Sequence, residues 1–258
     1  MNYDITATIV TYKTKIFDLE KVIESFFKTT LNAKLYISDN SPTDELKEYF
    51  KKLNNEKIEY IFNNCNMGYG YGHNIIIRKI IGKSKYHLIL NPDIYFQKNV
   101  LEELFIYMEE NKEVGNIMPM VRYPNGAIQY LCKRNPKPLD ILLRTFCPNK
   151  EIAEKRNVVY EMRDEGYDKI MNVEILSGCF MFIRNEVFET VGLFDEKIFM
   201  YFEDFDLNRR IHEKYKTIFY PKVEIVHEHA KESHKSKKMM FIGMKSAIYY
   251  FNKWGWMK

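Results

Sequence analysis

The first hundred residues alternate between strand-like and helix-like runs of apolar residues. The strand-like runs are short and largely apolar, and they cover Ile5–Tyr12, Leu35–Ser38, Ile58–Phe62 and Tyr86–Leu90. Between the first two, apolar residues recur at helical spacing, at Leu19, Val22, Ile23, Phe26 and Phe27. The order βαβαβαβ predicts a parallel sheet with right-handed crossovers. Ligands bind such sheets beyond the carboxyl ends of the strands, so residues that follow a strand are the first candidates for a site.

The second half of the chain is less regular. Residues 132–172 are polar with weak periodicity, and Val173–Ile183 is predicted as a strand interrupted at Ser177-Gly178. A helix over Glu203–Lys214, a strand over Thr217–Tyr220 and a final helix over Lys237–Phe251 complete the pattern. We therefore predict one α/β domain over residues 1–235, with a mostly parallel central sheet and a mixed second half, followed by a basic amphipathic helix over residues 236–258.

Composition narrows the class of protein. The net charge is +4 and the lysines are dispersed among acidic residues, which argues against nucleic acid as a partner. The four cysteines show no CxxC or metal-binding spacing and are predicted to be free thiols of a reducing compartment. The N-terminus lacks a signal-peptide pattern, and no window reaches the about 18 apolar residues that cross a bilayer. These features predict a cytoplasmic protein.

Two acidic segments are candidates for chemistry. Asp93 follows the fourth predicted strand, in Asn91-Pro92-Asp93. Mg²⁺ in proteins typically takes one or two carboxylates together with substrate phosphates, although an ordinary turn also explains this sequence. Glu203, Asp204 and Asp206 lie at the start of a predicted helix among aromatic residues. Capping by the helix dipole explains some of these acids, but a carboxylate desolvated by aromatic rings also suits a general base.

Three further segments follow strands or begin helices. His227 ends a predicted strand and precedes His229, Ser233 and His234, which can serve a metal and a diphosphate but match no zinc signature. Asp39 follows the second strand, where it can accept hydrogen bonds from a ribose or a base edge. Gly68 begins a glycine-rich run that permits close approach of a ligand to the backbone. The dinucleotide fingerprint requires glycines directly after the first strand, and they are absent.

In this order, the segments resemble the family 2 glycosyltransferases, inverting enzymes with the GT-A (Rossmann-like) nucleotide-sugar-binding fold. The resemblance is closest to the bacterial rhamnosyltransferase-like branch that builds surface polysaccharides. The last residues that carry it are Pro221 and His227, so the resemblance covers most of the chain, up to about residue 235. The segments that carry it are Thr8–Tyr12, Ser38–Ser41, Asn66–Asn74, Leu90–Asp93, Ser177–Met181, Gly192–Glu196 and Phe199–Leu207.

The resemblance assigns roles to individual residues. It implies that a nucleoside-diphosphate sugar binds at Val10, Thr11, Tyr12, Asp39, Asn66, Gly68, Asn74 and Asn91. It implies a divalent metal, Mg²⁺ or Mn²⁺, on Asp93 with help from His227, and Asp204 as the catalytic base. Positions on the acceptor side, or in support of it, are Ser177, Gly178, Glu203, Asp206 and Arg210. The broader family has an acid-any-acid motif where this chain has Asn91, whereas Asn-Pro-Asp is usual in the rhamnosyltransferase-like branch.

The expected activity is transfer of a sugar, with L-rhamnose as the first expectation, to a glycan or lipid-linked glycan. A sugar-nucleotide-forming nucleotidyltransferase is one alternative, but its Gly-rich basic loop is absent after the first strand. A non-catalytic carbohydrate-binding or assembly protein is another, and it would not need Asp93 and Asp204. The final helix carries an apolar stripe among lysines, at Met240, Met244, Ala247, Ile248 and Phe251. It is predicted to pack on the domain or on a second subunit, or to attach reversibly to the inner face of the membrane.

Overall fold

The computed structural model describes residues 2–228 and 237–256. The strands are β1 (Tyr3–Thr11), β2 (Ala33–Asp39), β3 (Ile58–Phe62), β4 (Ser84–Leu90), β5 (Ile94–Phe96), β6 (Val114–Arg122), β7 (Met171–Asn172), β8 (Phe180–Arg184) and β9 (Lys216–His227). The helices are α1 (Ile16–Phe26), α2 (Lys47–Leu53), α3 (Tyr69–Ile80), α4 (Val100–Glu110), α5 (Pro138–Phe146), α6 (Lys150–Tyr160), α7 (Glu186–Val191), α8 (Glu203–His212) and α9 (Lys237–Trp254). A single 3₁₀ turn spans Arg163–Glu165.

All the strands belong to one sheet in the order β3-β2-β1-β4-β8-β6-β9-β5, with β7 also paired to β9. Strands β1 to β4 run parallel, whereas β8 is antiparallel to both of its neighbours, β4 and β6. Strand β9 is parallel to β6 and antiparallel to β5 and β7. The predicted α/β architecture, with a parallel first half and a mixed second half, is confirmed.

The centre of the sheet explains the continuous apolar runs of the sequence. Residues 5–11 of β1 are all buried, as expected for a parallel strand covered on both faces. Polar side chains in this region pair with one another: Thr6 Oγ1 lies 2.8 Å from His87 Nδ1, and Thr8 Oγ1 lies 3.0 Å from His87 Nε2. Burial lowers the pKa of His87 to about 3, so the ring is neutral and acts as a structural link between β1 and β4.

The polar segment over residues 132–172, for which the pattern predicts no element, contains α5 and α6. Helix α6 begins at a conventional cap, since the Asn149 side chain accepts hydrogen bonds from the N–H groups of Glu151 and Ile152. Strand β6, also absent from the predicted pattern, lies deep in the sheet between β8 and β9. The prediction of elements in the second half of the chain was therefore incomplete.

Helix α9 packs on the domain through one face. Ala247, Tyr250 and Phe251 are buried against a cluster that includes Phe202 and Phe205 at the start of α8. The Ser246 hydroxyl also donates to the Met200 carbonyl at 2.8 Å. None of the helices in the described ranges is long and apolar enough to cross a membrane. The cysteines are free thiols, as predicted.

Candidate active site

The carboxyl ends of β1 and β2 meet where Thr11 pairs with Asp39. Asp39 is completely buried. Its Oδ1 accepts from the Thr11 hydroxyl at 3.0 Å and from the Ser41 N–H at 2.9 Å, and its Oδ2 accepts from the Tyr60 hydroxyl at 2.7 Å. A carboxylate offers about four lone-pair positions, so one position on Oδ2 is left after these three bonds. At the same strand end, Tyr12 is 51% exposed and presents its ring to solvent.

The glycines before and in the first turn of α3 are required by contacts within the protein. Gly68 has φ +106°, and a Cβ on it would lie 2.1 Å from the carbonyl oxygen of Phe199. A Cβ on Gly72 would lie 2.9 Å from both methyl groups of Val10. The Asn66 side chain accepts from the Gly68 N–H at 3.2 Å. These glycines therefore allow close approach of the protein's own atoms, while the predicted approach of a ligand to Gly68 stays a prediction.

Asn74 makes structural hydrogen bonds. It is completely buried, and its amide nitrogen donates to the Phe194 carbonyl at 2.9 Å and to Glu196 Oε1 at 2.8 Å. Its amide oxygen accepts from the Phe194 N–H at 3.0 Å. These bonds hold the loop after α7 against α3, so the side chain is used within the protein rather than turned towards a donor.

The predicted metal ligands lie side by side. Strands β5 and β9 pair Ile94 with His227, and the Glu228 N–H donates to the Asp93 carbonyl at 3.0 Å. This pairing places His227 Nε2 3.3 Å from Asp93 Oδ1, although the two residues are far apart in the sequence. His227 is buried, whereas the Asp93 side chain is 31% exposed. His229, Ser233 and His234 lie outside the described residues.

Gln129, which the sequence did not single out, orients the His227 ring. Its amide nitrogen donates to the His227 carbonyl at 2.7 Å, so its oxygen must be the atom that lies 3.0 Å from Nδ1. An amide oxygen only accepts, which means that Nδ1 carries a hydrogen. In the neutral ring the lone pair is then on Nε2, the nitrogen that faces Asp93. A second partner of this kind commonly fixes the tautomer of a metal-binding histidine.

The donor set of this site fits a hard divalent cation. Within the described ranges no cluster of three or more His, Cys, Asp or Glu side chains is arranged to hold a metal. Asp93 and His227 would therefore be two ligands of such a cation, and oxygens of a bound diphosphate and water would complete the coordination, as is usual for Mg²⁺. Burial opposes ionisation of His227, but Cys179 and Asp93 raise its pKa to about 10. Metal binding therefore has to release the Nε2 proton.

Helix α8 begins with strained backbone. Tyr201 and Phe202 have φ values of +66° and +67°, in the left-handed region that side-chain-bearing residues rarely adopt. Such residues cost about 1–3 kcal/mol each and persist where the surrounding structure imposes them. Phe202 is held by ring contacts with Phe205, Tyr250 and Phe251, at centroid distances of 5.0, 5.3 and 6.2 Å. The strained turn fixes the direction in which Glu203 and Asp204 project.

Asp204 is held as a carboxylate. Its Oδ2 accepts from the Gly178 N–H at 2.8 Å and its Oδ1 from the Phe205 N–H at 2.9 Å. A Cβ on Gly178 would lie 2.9 Å from the Asp204 Cβ, which explains the glycine. Burial raises the pKa of Asp204, while the Lys133 ammonium and the Gly178 N–H oppose that rise. The net effect is a carboxyl group that is more basic than an ordinary aspartate and has hydrogen-bond donors and an ammonium beside it.

Glu203, its neighbour, is in the opposite situation. The side chain is buried, and its Oε2 has no hydrogen-bond partner among the described residues. Burial, together with the adjacent charge of Asp204, raises the pKa of Glu203 well above its usual range. Two carboxyls whose environments separate their pKa values in this way take different roles. Glu203 therefore retains a proton more readily than Asp204 does.

Lys133 is a second residue that the sequence did not single out. Its backbone makes two hydrogen bonds with Ile175, at 2.9 and 3.1 Å, which fix the chain beside the Ser177-Gly178 segment. Its ammonium lies 4.9 Å from the centre of the Phe205 ring. Burial lowers the pKa of Lys133, and Asp204 counteracts this effect. A lone lysine in a polar segment gives no signal of this position.

A short segment at residues 177–179 links the base to the proposed metal ligands. Gly178 donates to Asp204, while the Cys179 carbonyl accepts from the Asn91 N–H at 2.9 Å and the Cys179 thiol hydrogen-bonds the His227 side chain. The Tyr69 hydroxyl lies 2.9 Å from Asn91 Oδ1 and 2.8 Å from the Gly178 carbonyl. The Ser177 hydroxyl accepts a long bond from the Cys179 N–H, at 3.4 Å. The predicted residues 91, 93, 178, 204 and 227 therefore lie in one site.

Asp206 and Arg210 make contacts within the protein. Asp206 is completely buried and contacts Arg210 at 2.9 Å, Trp254 Nε1 at 2.9 Å and Lys253 at 2.7 Å. Arg210 also donates to the carbonyls of Val191 and Leu193 at 2.6 and 2.7 Å. The pair therefore joins α8 to α9 and to the loop after α7. Its role is support of the base-bearing helix rather than contact with an acceptor.

The sheet order and the carboxylates at its strand ends are those of a glycosyltransferase with the GT-A fold. The chain matches the family described as Glycosyl transferase family 2 over residues 7–192. It therefore belongs to glycosyl transferase family 2 and is a glycosyltransferase.

Curated relatives agree with this assignment. The chain is 26% identical over 206 residues to the low-salt glycan biosynthesis hexosyltransferase Agl10 of Haloferax volcanii. This match covers 79% of this chain and 60% of Agl10. It is 24% identical over 228 residues to the N-acetylglucosaminyl-diphospho-decaprenol L-rhamnosyltransferase of Mycobacterium tuberculosis, which covers 82% of this chain and 72% of the relative. The chain thus spans somewhat less than two thirds of Agl10, and its relatives include the predicted rhamnosyltransferase-like branch.

Solved structures confirm the GT-A fold. The structure of GalNAc-T7 with UDP, GalNAc and Mn²⁺ superposes with a TM-score of 0.65 at 17% identity. The match covers 87% of this chain and 43% of that chain. At this identity the likeness concerns the fold alone.

Proposed function

We propose that this glycosyltransferase moves a sugar from a nucleoside-diphosphate donor to a hydroxyl group of a glycan or lipid-linked glycan in surface polysaccharide synthesis. The observation that carries the proposal is the environment of Asp204, a charged, partly desolvated carboxylate at one end of the segment 177–179. Asp93 and His227 lie at the other end, where a donor diphosphate and its metal fit. A sugar held between them has a base on one side and its leaving group on the other.

The proposed donor is a thymidine- or uridine-diphosphate sugar, with L-rhamnose as the first candidate. Asp39 fixes the strand end at which the base would bind, through its bonds to Thr11, Ser41 and Tyr60, and the exposed Tyr12 ring can stack on the base. Val10, Thr11, Asn66 and Asn91 complete the proposed nucleotide side. The L-rhamnosyltransferase among the relatives supports the choice of sugar, and the UDP and Mn²⁺ of the GalNAc-T7 structure support the class of donor and cofactor.

The proposed reaction is a single displacement with inversion at the anomeric carbon. Asp204 takes the proton of the acceptor hydroxyl as its oxygen forms the new bond to the sugar. The bond from the anomeric carbon to the diphosphate oxygen breaks, and the nucleoside diphosphate leaves with the electron pair. A divalent metal held by Asp93 and His227 would neutralise charge on that leaving group. Glu203 stays protonated and keeps a second negative charge away from Asp204.

The two alternatives are less well supported. A nucleotidyltransferase has no evident use for a carboxylate kept charged by two N–H groups and a lysine. A non-catalytic binding protein would not need the strained turn that places it.

A donor screen tests the proposal. The protein is incubated with thymidine-, uridine- and guanosine-diphosphate sugars and Mn²⁺, and release of the nucleoside diphosphate is measured with and without chelator. We expect release from a thymidine or uridine donor, and we expect chelator to abolish it. If no nucleotide sugar is turned over and no nucleoside diphosphate binds, the proposal is wrong. If nucleoside diphosphate binds equally tightly in the presence of chelator, the metal-binding role proposed for Asp93 is wrong.

A further inference from the structure

Helix α9 has two apolar faces, and only one is covered. Ala247, Tyr250 and Phe251 pack on the domain. On the other side, four large apolar side chains at helical spacing are 45–68% exposed, namely Met240, Phe241, Met244 and Ile248. A helix that only closes a core needs one apolar face, so the second face calls for a separate explanation.

Helix α5 has the same organisation. Ile141 packs against the aromatic cluster that also receives α9, whereas Leu139 and Leu142 are 51% and 54% exposed. Both helices therefore cover one cluster with their inner faces and leave apolar residues outside. We call the exposed apolar residues of α9, namely Met240, Phe241, Met244 and Ile248, the outer apolar surface. Soluble proteins rarely leave such apolar groups together without an interaction partner.

The charges on α9 identify the kind of partner. Lys237, Lys238 and Lys245 are exposed, and residues 237–258 contain no aspartate or glutamate. On α5, Asp140 and Arg144 are paired with Arg156 and Glu161. The outer apolar surface is thus bordered by unopposed positive charge. An apolar face with lysines beside it is the composition of a helix that lies in the interface of an anionic membrane.

A second copy of the chain fits this surface less well. A two-fold contact places the same patch of each subunit against itself. The lysines of α9 would then face lysines, with no acidic residue of the helix to pair with them. Anionic lipid headgroups satisfy the same charges without this repulsion.

We propose that the outer apolar surface binds reversibly to an anionic lipid bilayer, with the exposed apolar side chains of α9 inserted among the headgroups. The cluster beneath both helices contains Phe202 and Phe205, which flank Asp204. If the proposed function holds, attachment brings the catalytic base close to the plane in which a lipid-linked acceptor lies. The binding itself does not depend on that function.

The test uses the full chain and sedimentation with vesicles of phosphatidylcholine alone or mixed with phosphatidylglycerol. We expect binding to the mixed vesicles only, and weaker binding as salt rises, because surface charges are screened beyond about 10 Å at 0.1 M. Phe241→Ser with Ile248→Ser should reduce binding at least tenfold. Lys237→Gln, Lys238→Gln and Lys245→Gln together should do the same, since each lysine near an anionic surface contributes about fivefold.

Matched controls are available on α1, α4 and α2 with the turn that follows it. Phe17→Ser with Ile106→Ser removes side chains that are 65% and 51% exposed, and Lys51→Gln, Lys52→Gln and Lys57→Gln remove three exposed lysines. Neither control should alter binding. The proposal fails if wild type does not bind the mixed vesicles, or if the controls weaken binding as much as the α9 variants. It also fails if light scattering shows a dimer that Phe241→Ser with Ile248→Ser dissociates. A donor-hydrolysis assay separates these outcomes from failure of the proposed function.

Discussion

At the scale of single residues, two adjacent carboxyls acquire different chemistry from their surroundings. Asp204 has two backbone N–H donors and a nearby ammonium, while one oxygen of Glu203 is buried without a hydrogen-bond partner among the described residues. Sequence position alone does not separate them, because both stand at the start of one helix. The structure separates them by contact, and the base assigned to Asp204 rests on that difference.

Lys133 is expected to set the pH at which Asp204 becomes active. Replacing it with methionine in Lys133→Met removes a charge that holds down the pKa of Asp204. The pKa of Asp204 should rise, and the acidic limb of the kcat/KM profile should move to higher pH. Lys133→Arg should keep the limb near its original position. A pH–rate profile measures both, and an unmoved limb in Lys133→Met would show that this lysine does not act on the base.

Gln129 is expected to control metal affinity through His227. Gln129→Leu removes the acceptor that keeps hydrogen on Nδ1, so the ring loses its fixed tautomer. Loss of such a partner typically costs about 10–100-fold in metal affinity. Calorimetry of nucleoside diphosphate binding with Mn²⁺ should show this loss, and Asp93→Ala should lose more. Gln129→Glu retains an acceptor and should stay closer to wild type. Equal affinity in Gln129→Leu and wild type would contradict the positioning role.

At the scale of elements, α9 supports the catalytic helix. Its Tyr250 and Phe251 rings pack on Phe202, in the strained turn before Asp204. Lys253 and Trp254 both contact Asp206 within α8, at 2.7 and 2.9 Å. Deletion of α9 would therefore disturb the active site as well as any membrane contact. Point variants on its two faces separate these effects.

Phe251→Ala should destabilise the fold and impair transfer. Phe251 is 3% exposed, and deletion of a buried aromatic ring typically costs about 3–5 kcal/mol. Phe241→Ala, on the exposed face of the same helix, should change the free energy of unfolding by no more than about 0.5 kcal/mol. Denaturant unfolding measures both. Equal losses in the two variants would mean that the faces of α9 have been assigned wrongly.

The sequence predicts the elements whose signals are local. Strands β1 to β4 show continuous apolar runs, and α1 shows helical spacing at Leu19, Val22 and Phe26. Each pattern arises from the burial of one element and can be seen in the local sequence of that element. The motif residues Asp93, Asp204 and His227 could also be selected from sequence, because they directly follow a strand, begin a helix or end a strand.

Other parts of the site could not be predicted from local pattern. Gln129 follows β6, which is central only because β8 and β9 arrive from much later in the chain. Lys133 reaches Asp204 through backbone pairing with Ile175, a long-range contact that no periodicity records. The glycines at 68 and 72 are conspicuous in the sequence, yet what approaches them is the protein itself. Such contacts depend on tertiary structure.

At the scale of the whole molecule, the fold encloses two completely buried histidines, one in the sheet and one in α3. His87 links β1 to β4, and His73 is completely buried in α3. Burial lowers the pKa of His73 well below its usual range and that of His87 to about 3. Between about pH 6.5 and these lower values, the unfolded chain binds protons that the folded chain does not. The free energy of unfolding must therefore decrease as the pH falls through that window.

His87 should lower the free energy of unfolding by about 2 kcal/mol between pH 7 and pH 5, and His73 should act in the same direction. His227 offsets part of this change in the upper part of the range, because its pKa is raised to about 10 while the unfolded residue gains its proton only near pH 6.5. Urea unfolding at the two pH values measures the slope. His87→Gln retains one polar contact with Thr6 or Thr8 and should lose its share of the slope. If the variant keeps the full slope, His87 is not the group that titrates.

The proposed transfer reaction depends most directly on Asp204, the base that is to activate the acceptor hydroxyl. Asp204→Asn preserves the shape of the side chain and one acceptor for the Gly178 N–H, but it removes the proton-accepting charge. Transfer in a single turnover should fall by about 10²–10⁴-fold. Binding of nucleoside diphosphate with Mn²⁺ should be unchanged by calorimetry. Near-wild-type transfer by the folded Asp204→Asn protein would contradict the role of Asp204 as the base.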